Sequence, residues 1–322
     1  MRELISLARN AIQNRVFPGC VIGVISGDEI TVLPFGRYTY APDSPVVSES
    51  SLYDCASLTK SVVTATLALQ LLAENRLTLS SKLIEFVPEY STKNREGVTV
   101  LHLLTYTLGN TLPLSRAGNT PEEIFSAVCV EDTRPPGTVF SYSNTPAYFL
   151  GIVLERITGS PLDLLARERI FWPFRMDSTT FRPRGAAPTQ AGIQDMVHDE
   201  SARIFARAGK TVGHAGLFST VPDTLSFLNA LLRCNDQRFC TNQIPHLGVA
   251  GLGWELDQEW MGKRRSKRTF GKTGFTGCSI AANFETAQAL VIFSNHTYPT
   301  RPASSSAINA LRREMCDIVF RS

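Results

Sequence analysis

No long apolar run is present in this chain. Its longest, from Ser61 to Leu72, is broken by threonines and a glutamine and falls short of the ~20 residues that span a bilayer. The opening segment, MRELISLARNAIQNRVFPG, lacks the unbroken apolar core of a secretion signal, because Arg9 and Asn10 interrupt it. The reading is a cytoplasmic protein with no membrane segment. Cysteine is sparse and unpatterned: seven residues, an odd number, with no C-x-x-C pair. That argues against a disulfide framework and a structural zinc site, and for reduced thiols. H-E-x-x-H is missing as well. His198, Asp199 and Glu200, although adjacent, read as a surface loop, since chain neighbours rarely converge on one ion. Both G-K-T triplets fail as phosphate loops, because Ile204 and Ser266 stand where the first glycine is required. No metal and no cofactor are therefore expected. Nor is there a charge excess that suits nucleic acid, with a formal net charge of +3 and 19% charged residues. The basic cluster Lys263 to Arg268 reads as a solvated loop between two strands.

What is present is a globular composition, 43% hydrophobic over 322 residues, enough for one large domain or two intimate ones. Leu4, Ile5, Ala8 and Ile12 recur at helical spacing. Two β-rich runs then flank Gly27-Asp28, a two-residue hairpin signal. From Ser57 to about Leu232 the pattern is mostly helical, and strand character returns in LGWELD, RTFGKTG, CSIAANFE and AQALVIFSN. The chain closes on a helix whose Ile308, Leu311, Met315, Ile318 and Val319 share a face. The expected fold class is α+β, with an antiparallel sheet built from both chain ends, 1–50 and 240–322, and flanked by the terminal helices. Residues 51–239 form an inserted, mostly helical domain, and a catalytic cleft belongs at the junction.

Three short motifs carry chemistry. Ser57 and Lys60, three apart at the start of an apolar helix, share one face. A serine needs a base to become a nucleophile, and burial near a helix N-terminus depresses a lysine pKa enough to supply one. Tyr142-Ser143-Asn144 stands at a loop-to-helix corner. There a phenol beside an ammonium loses its proton more readily, and an asparagine amide can meet a substrate amide. Lys272-Thr273-Gly274 ends a strand, where a cation and a hydroxyl can meet a substrate carboxylate or carbonyl. The Phe275 N–H just beyond can pair with that of Ser57 as an oxyanion hole.

S-x-x-K, Y-x-N and K-T-G in this order make the chain resemble the serine β-lactamase and penicillin-binding protein superfamily. The tyrosine form is similar to class C β-lactamases, D-Ala-D-Ala carboxypeptidases and related esterases. ASLTK, TVLHLLTYTLGN, PGTVFSYSN, GHAGLFST, GWE and GKTGFTG look like family segments in family order along nearly the whole chain. The resemblance implies that Ser57 is acylated, Lys60 is its base or proton relay, and Tyr142 is general base and acid. It also implies that Asn144, Lys272, Thr273 and Gly274 bind substrate, while the Ser57 and Phe275 amides hold the oxyanion.

Two departures stand out. Tyr106 occupies the place where the pattern carries His, and Lys272 stands where many relatives of the esterase-like branch carry His, which favours a carboxylate-bearing substrate. His214, between glycines in GHAG, either lines the cleft or bonds a loop carbonyl. The implied function is a serine hydrolase of small esters, amides or short D-Ala-type peptides, with β-lactamase activity in scope. The alternatives are a penicillin-binding or sensor-like module acylated without turnover, and an acyltransferase. Motifs of this kind carry no information on oligomeric state.

Overall fold

A computed structural model describes residues 1–321. Its strands are β1 (Gly19–Ser26), β2 (Glu29–Gly36), β3 (Tyr53–Asp54), β4 (Phe218–Ser219), β5 (Glu255–Leu256), β6 (Thr269–Thr273), β7 (Ser279–Asn283) and β8 (Gln288–Ser294). Ser26 lies opposite Glu29, so Gly27 and Asp28 alone make the β1–β2 turn. Gly27 takes the left-handed conformation that such a turn demands, with φ +61°. The other edge of β1 pairs antiparallel with β8, joining the two ends of the chain. The resulting sheet has six strands in the order β2-β1-β8-β7-β6-β5, each pair antiparallel. This is the α+β architecture expected from the sequence.

β1 and β8 read as near-continuous apolar runs because both of their faces are covered. On one face Cys20, Ile22, Val24 and Ile292 pack against Leu4 and Ala8 of the first helix (Arg2–Gln13) and Ile308 and Met315 of the last (Ser306–Val319). On the other face Val21, Ile25, Val291 and Phe293 merge with the core of the helical middle section. Within that section the helix Thr145–Thr158 buries Phe149, Val153 and Leu154 and stops at Gly159, φ +72°. The helix Val221–Leu231 starts where the Thr220 hydroxyl accepts the Asp223 N–H. The basic stretch Lys263 to Arg268 is a loop before β6, with Lys263, Arg264 and Lys267 exposed and Arg265 bonded to Asp257 at 2.6 Å. Among the described residues, no helix is long and apolar enough to cross a membrane.

The Ser57 helix differs from expectation in detail. Its first turn, Lys60–Ala65, is a π-helix, followed by an α-helix over Thr66–Ala73, and Ser57 sits in the turn before both. Two strand contacts hold that turn. β3 pairs with β4, tying Asp54 to Phe218, and the end of β6 comes so close that a Cβ on Gly274 would meet the Cys55 carbonyl oxygen at 2.5 Å. Glycine is required there by space rather than by conformation. Gly274→Ala is expected to push the strand end off the Ser57 turn and lower the kcat/KM of any Ser57-dependent reaction by about 10²-fold. Circular dichroism beside steady-state rates checks it, since a folded variant with unchanged rates contradicts the prediction.

Candidate active site

Ser57 owes its position to a strained turn. Ala56 has φ +47°, unusual for a residue with a side chain. The buried Asp54 carboxylate holds it there by accepting the Ala56 N–H at 2.8 Å, and also accepts the His198 N–H at 2.8 Å. Burial pushes the Asp54 carboxyl up to about 6. Lys60, 2% exposed, donates to Ser57 Oγ at 2.8 Å and to the His214 carbonyl oxygen at 2.8 Å. Burial lowers the Lys60 pKa, and only in part do the neighbouring Tyr142 and Asp199 oppose this. A lysine so placed gives up its proton more easily than one in water.

Tyr142 lies over two ammonium groups, its ring centroid 4.2 Å from Lys272 Nζ and 5.4 Å from Lys60 Nζ. Its hydroxyl interacts with Ser57 and Lys60. Tyr142 is 46% exposed; the desolvation its packed surroundings still impose raises its pKa, but the charges of Lys272 and Lys60 outweigh that, and the phenol is more acidic than usual. The arrangement therefore contains a serine hydroxyl bonded to a weakened ammonium, with an acidified phenol beside them. These are the parts of a proton relay around a nucleophile.

Lys272 occupies a different place from the one its motif suggested. It is fully buried, donates to Glu255 Oε1 at 2.9 Å and lies 5.0 Å from the Tyr106 ring centroid. Glu255 and the two tyrosines more than offset burial and keep it a cation. Its ammonium is thus occupied by Glu255 and turned to the rings of Tyr106 and Tyr142 rather than open to a substrate carboxylate. Tyr106, φ +57°, packs on Tyr142 with ring centroids 4.9 Å apart. Glu255 escaped the motif search, although it directly follows the G-W pair of GWE, and Tyr106 entered only as a departure from pattern.

Thr273 is half-buried, and its neighbour Phe275 presents a backbone N–H that, like that of Ser57, has no acceptor among the described residues. Two free N–H groups beside a nucleophile suit an oxyanion. Both residues line a cleft of about 580 Å³ that also receives His296, Arg301, Asn309 and Arg312. Arg312, 3% exposed, bonds the Asn309 side-chain oxygen at 2.8 Å and the Cys278 carbonyl at 2.9 Å. Among the described residues no carboxylate lies within ion-pair distance of it, although Glu255 acts on it from farther off, and burial lowers its pKa to about 10. Arg301 is exposed and stacks on the Phe275 ring at 5.2 Å. Sequence reasoning missed both arginines and Asn309, which lie outside the motifs; the helical spacing of Asn309 and Arg312 was the available signal.

The segment 198–200 is not the surface loop expected. His198 is buried against Phe275, with ring centroids 4.8 Å apart, and burial takes its pKa down to about 4. Asp199 caps the helix Glu200–Arg207 and points the opposite way, accepting Asn144 Nδ2 at 3.1 Å. Only Glu200 is exposed. Asn144, expected to meet a substrate amide, is thus already bonded through its amide nitrogen. His214 does neither thing foreseen for its ring. The ring is fully buried on Ser201 at 3.0 Å and Asp199 at 3.4 Å, and it is the His214 carbonyl that reaches the site, through Lys60. Gly213 brings that backbone in, since a Cβ there would meet the Ala147 carbonyl oxygen at 2.2 Å.

Comparison with known proteins agrees with this geometry. A family model described as Beta-lactamase matches residues 4–313. A protein of Salmonella agona named "Putative D-alanyl-D-alanine carboxypeptidase" is 23% identical, the match covering 92% of this chain and 83% of that protein. Among solved structures, EstCE1, described as a hydrolase with promiscuous acyltransferase activity, superposes with a TM-score of 0.79 at 17% identity, covering 99% of this chain and 98% of its own. Simvastatin synthase from Aspergillus terreus superposes equally well, TM-score 0.79 at 18% identity, over 99% and 97% of the two chains. Taken with the sheet of joined chain ends and the Ser57–Lys60–Tyr142 cluster, the match across residues 4–313 means that the chain belongs to the Beta-lactamase family of serine hydrolases.

Proposed function

We propose that the chain hydrolyses a small amide or ester whose leaving half carries a carboxylate, through an acyl intermediate on Ser57. The observation that carries this reading is the pairing of Ser57 with Arg301, Asn309 and Arg312 in one cleft with no acidic lining residue. A buried cation without a counter-charge is costly unless a ligand supplies one. In the mechanism, Tyr142 takes the Ser57 proton as Oγ attacks the substrate carbonyl, and Lys60 steadies the proton between them. The Ser57 and Phe275 N–H groups stabilise the oxyanion, and Thr273 hydrogen-bonds the substrate. Collapse breaks the carbonyl–nitrogen or carbonyl–oxygen bond, and Tyr142 returns the proton to the leaving group. Water then attacks the acyl-serine with the same groups acting in reverse. Lys272 serves by acidifying Tyr142, Gly274 by letting β6 approach, and Asn144 by bordering the acyl group. The name of the Salmonella relative supports a D-alanyl peptide as one such substrate. Seven unpaired thiols support a reducing compartment.

The test is intact-protein mass spectrometry after acid quench, with penicillin G, its methyl ester and a fluorophosphonate as probes. Ser57 is expected to carry each adduct, with the free penicillin acylating at least about tenfold faster than its ester. Arg301→Ala should shrink that advantage. Equal rates for acid and ester sink the carboxylate reading, and absence of any Ser57 adduct sinks the acyl-serine. A stoichiometric burst with no steady state identifies a module that is acylated without turnover.

A further inference from the structure

Past Tyr142 lies a second cavity, and the largely buried charges of cleft and cavity are opposite in sign, Arg312 on one side and Asp199 on the other. On the Ser57 side the charged lining groups are Arg301 and Arg312. On the far side lies a second cavity of about 620 Å³, which shares Tyr142 and is lined also by Asn110, Ser143, Asn144 and Asp199. Asp199 is its one acidic lining residue, and its side chain is 20% exposed.

Asp199 is ionised, and among the described residues no lysine or arginine lies within ion-pair distance of it, although its charge acts on Lys60 from farther off. Burial opposes its charge, but the His214 imidazole 3.4 Å away, with bonds from Ser201 at 2.6 Å and the Ala202 N–H at 2.9 Å, outweighs that and holds the carboxyl well below the usual range. Burial lowers the pKa of His214, its one ion-pair neighbour among the described residues, and so weakens that imidazole as a counter-charge. Both bonds and the His214 contact fall on Oδ1. Oδ2 takes only the Asn144 amide nitrogen, at 3.1 Å, and has room for further donors. Because a carboxylate only accepts, Asn144 must turn its NH₂ to Asp199, which leaves its own carbonyl oxygen free as a second acceptor. The remaining charged lining residue, Arg134, is exposed to solvent, where its repulsion is screened far more than the attraction of a largely buried carboxylate.

The geometry points to Asp199 and Asn144 as the seat of a substrate ammonium on the acyl side of Ser57. With the arginines holding a carboxylate on the leaving side, the favoured substrate is a zwitterion: a short peptide with an unblocked amine, lying across Tyr142 with its scissile bond over Ser57. This deepens the hydrolase reading and rests on it. It separates free peptides from N-acylated ones, which the serine, lysine and tyrosine alone do not do.

The experiment compares three substrates of the wild-type chain: D-alanyl-D-alanine, N-acetyl-D-alanyl-D-alanine and propionyl-D-alanine, the last with nearly the same shape but no amine. kcat/KM for the free dipeptide is expected to exceed both others by at least about tenfold, as for a site built around a substrate N–H. Each compound is also scored for protecting Ser57 against a fluorophosphonate, so that preference is read even where turnover is slow. Asp199→Asn should bring the three compounds close to equality. Equal behaviour of the three in the wild-type chain overturns the inference without needing the variant. So does a preference that survives Asp199→Asn while all three rates fall together, which leaves Asp199 a positioning residue for Asn144. If Ser57 takes no fluorophosphonate at all, the acyl-serine reading fails, and the inference with it.

Discussion

Ser57→Ala lowers kcat/KM by about 10⁴-fold or more and removes every covalent adduct, while the variant keeps its fold. The fold survives because Ser57 is half-buried in a turn held by other groups, with Asp54 on the Ala56 N–H and β6 against Cys55. Activity does not, because among the described residues no other hydroxyl stands 2.8 Å from Lys60 Nζ beside two free N–H groups. Lys60→Met is expected to fall nearly as far, and the double variant no further than the worse single one. Groups that act as a unit are not additive. Steady-state rates for the four combinations, with acid-quench mass spectra, decide it. Substantial turnover by Ser57→Ala would falsify the mechanism outright.

Lys272→Met produces the second large effect, visible first as a shift in pH dependence. Tyr142 must be deprotonated to take the Ser57 proton, so kcat/KM rises with pH to a plateau above the phenol pKa. Lys272, 4.2 Å from the Tyr142 ring centroid, is the strongest influence lowering that pKa, and Glu255 opposes it. Without Lys272 the phenol holds its proton more tightly and the rising limb moves to higher pH by about one to two units, so activity near neutrality drops about 10- to 100-fold. Glu255→Gln has the opposite sign, because removing the anion strengthens the field of Lys272 on the phenol and moves the limb down. pH profiles of kcat/KM for the two variants give the answer. If Lys272 acted instead by binding a substrate carboxylate, Lys272→Met would raise KM and leave the limb in place.

The fold was largely readable in element order and class. The two-residue turn at Gly27-Asp28, the apolar runs that became β1 and β8 and the terminal helices are local signals, and the pairing of the chain ends follows from them. Ser57, Lys60, Tyr142, Thr273, Gly274 and Phe275 stand in short motifs, and the structure brings them to one cleft. What escaped was the partner of each charge. Glu255 occupies Lys272 from 17 residues away in the chain, and the spacing within K-T-G says nothing of it. Asp199 reads like any polar loop residue until a helix cap and Asn144 fix its two oxygens in different directions. Arg312 lies on the buried face of the last helix, where an apolar stripe leads the eye to expect core. Polar groups that satisfy one another across the fold leave no period in the sequence.

The antiparallel register of β1 against β8 sets a timetable for assembly. During synthesis β1 emerges with one edge unpaired and finds its partner only after residue 294 has left the ribosome. The Phe275 N–H proposed to hold the oxyanion and the arginines at 301 and 312 come from that same late segment. A nascent chain therefore carries Ser57 for most of its synthesis without the groups that let it react, and chemical competence arrives together with closure of the sheet.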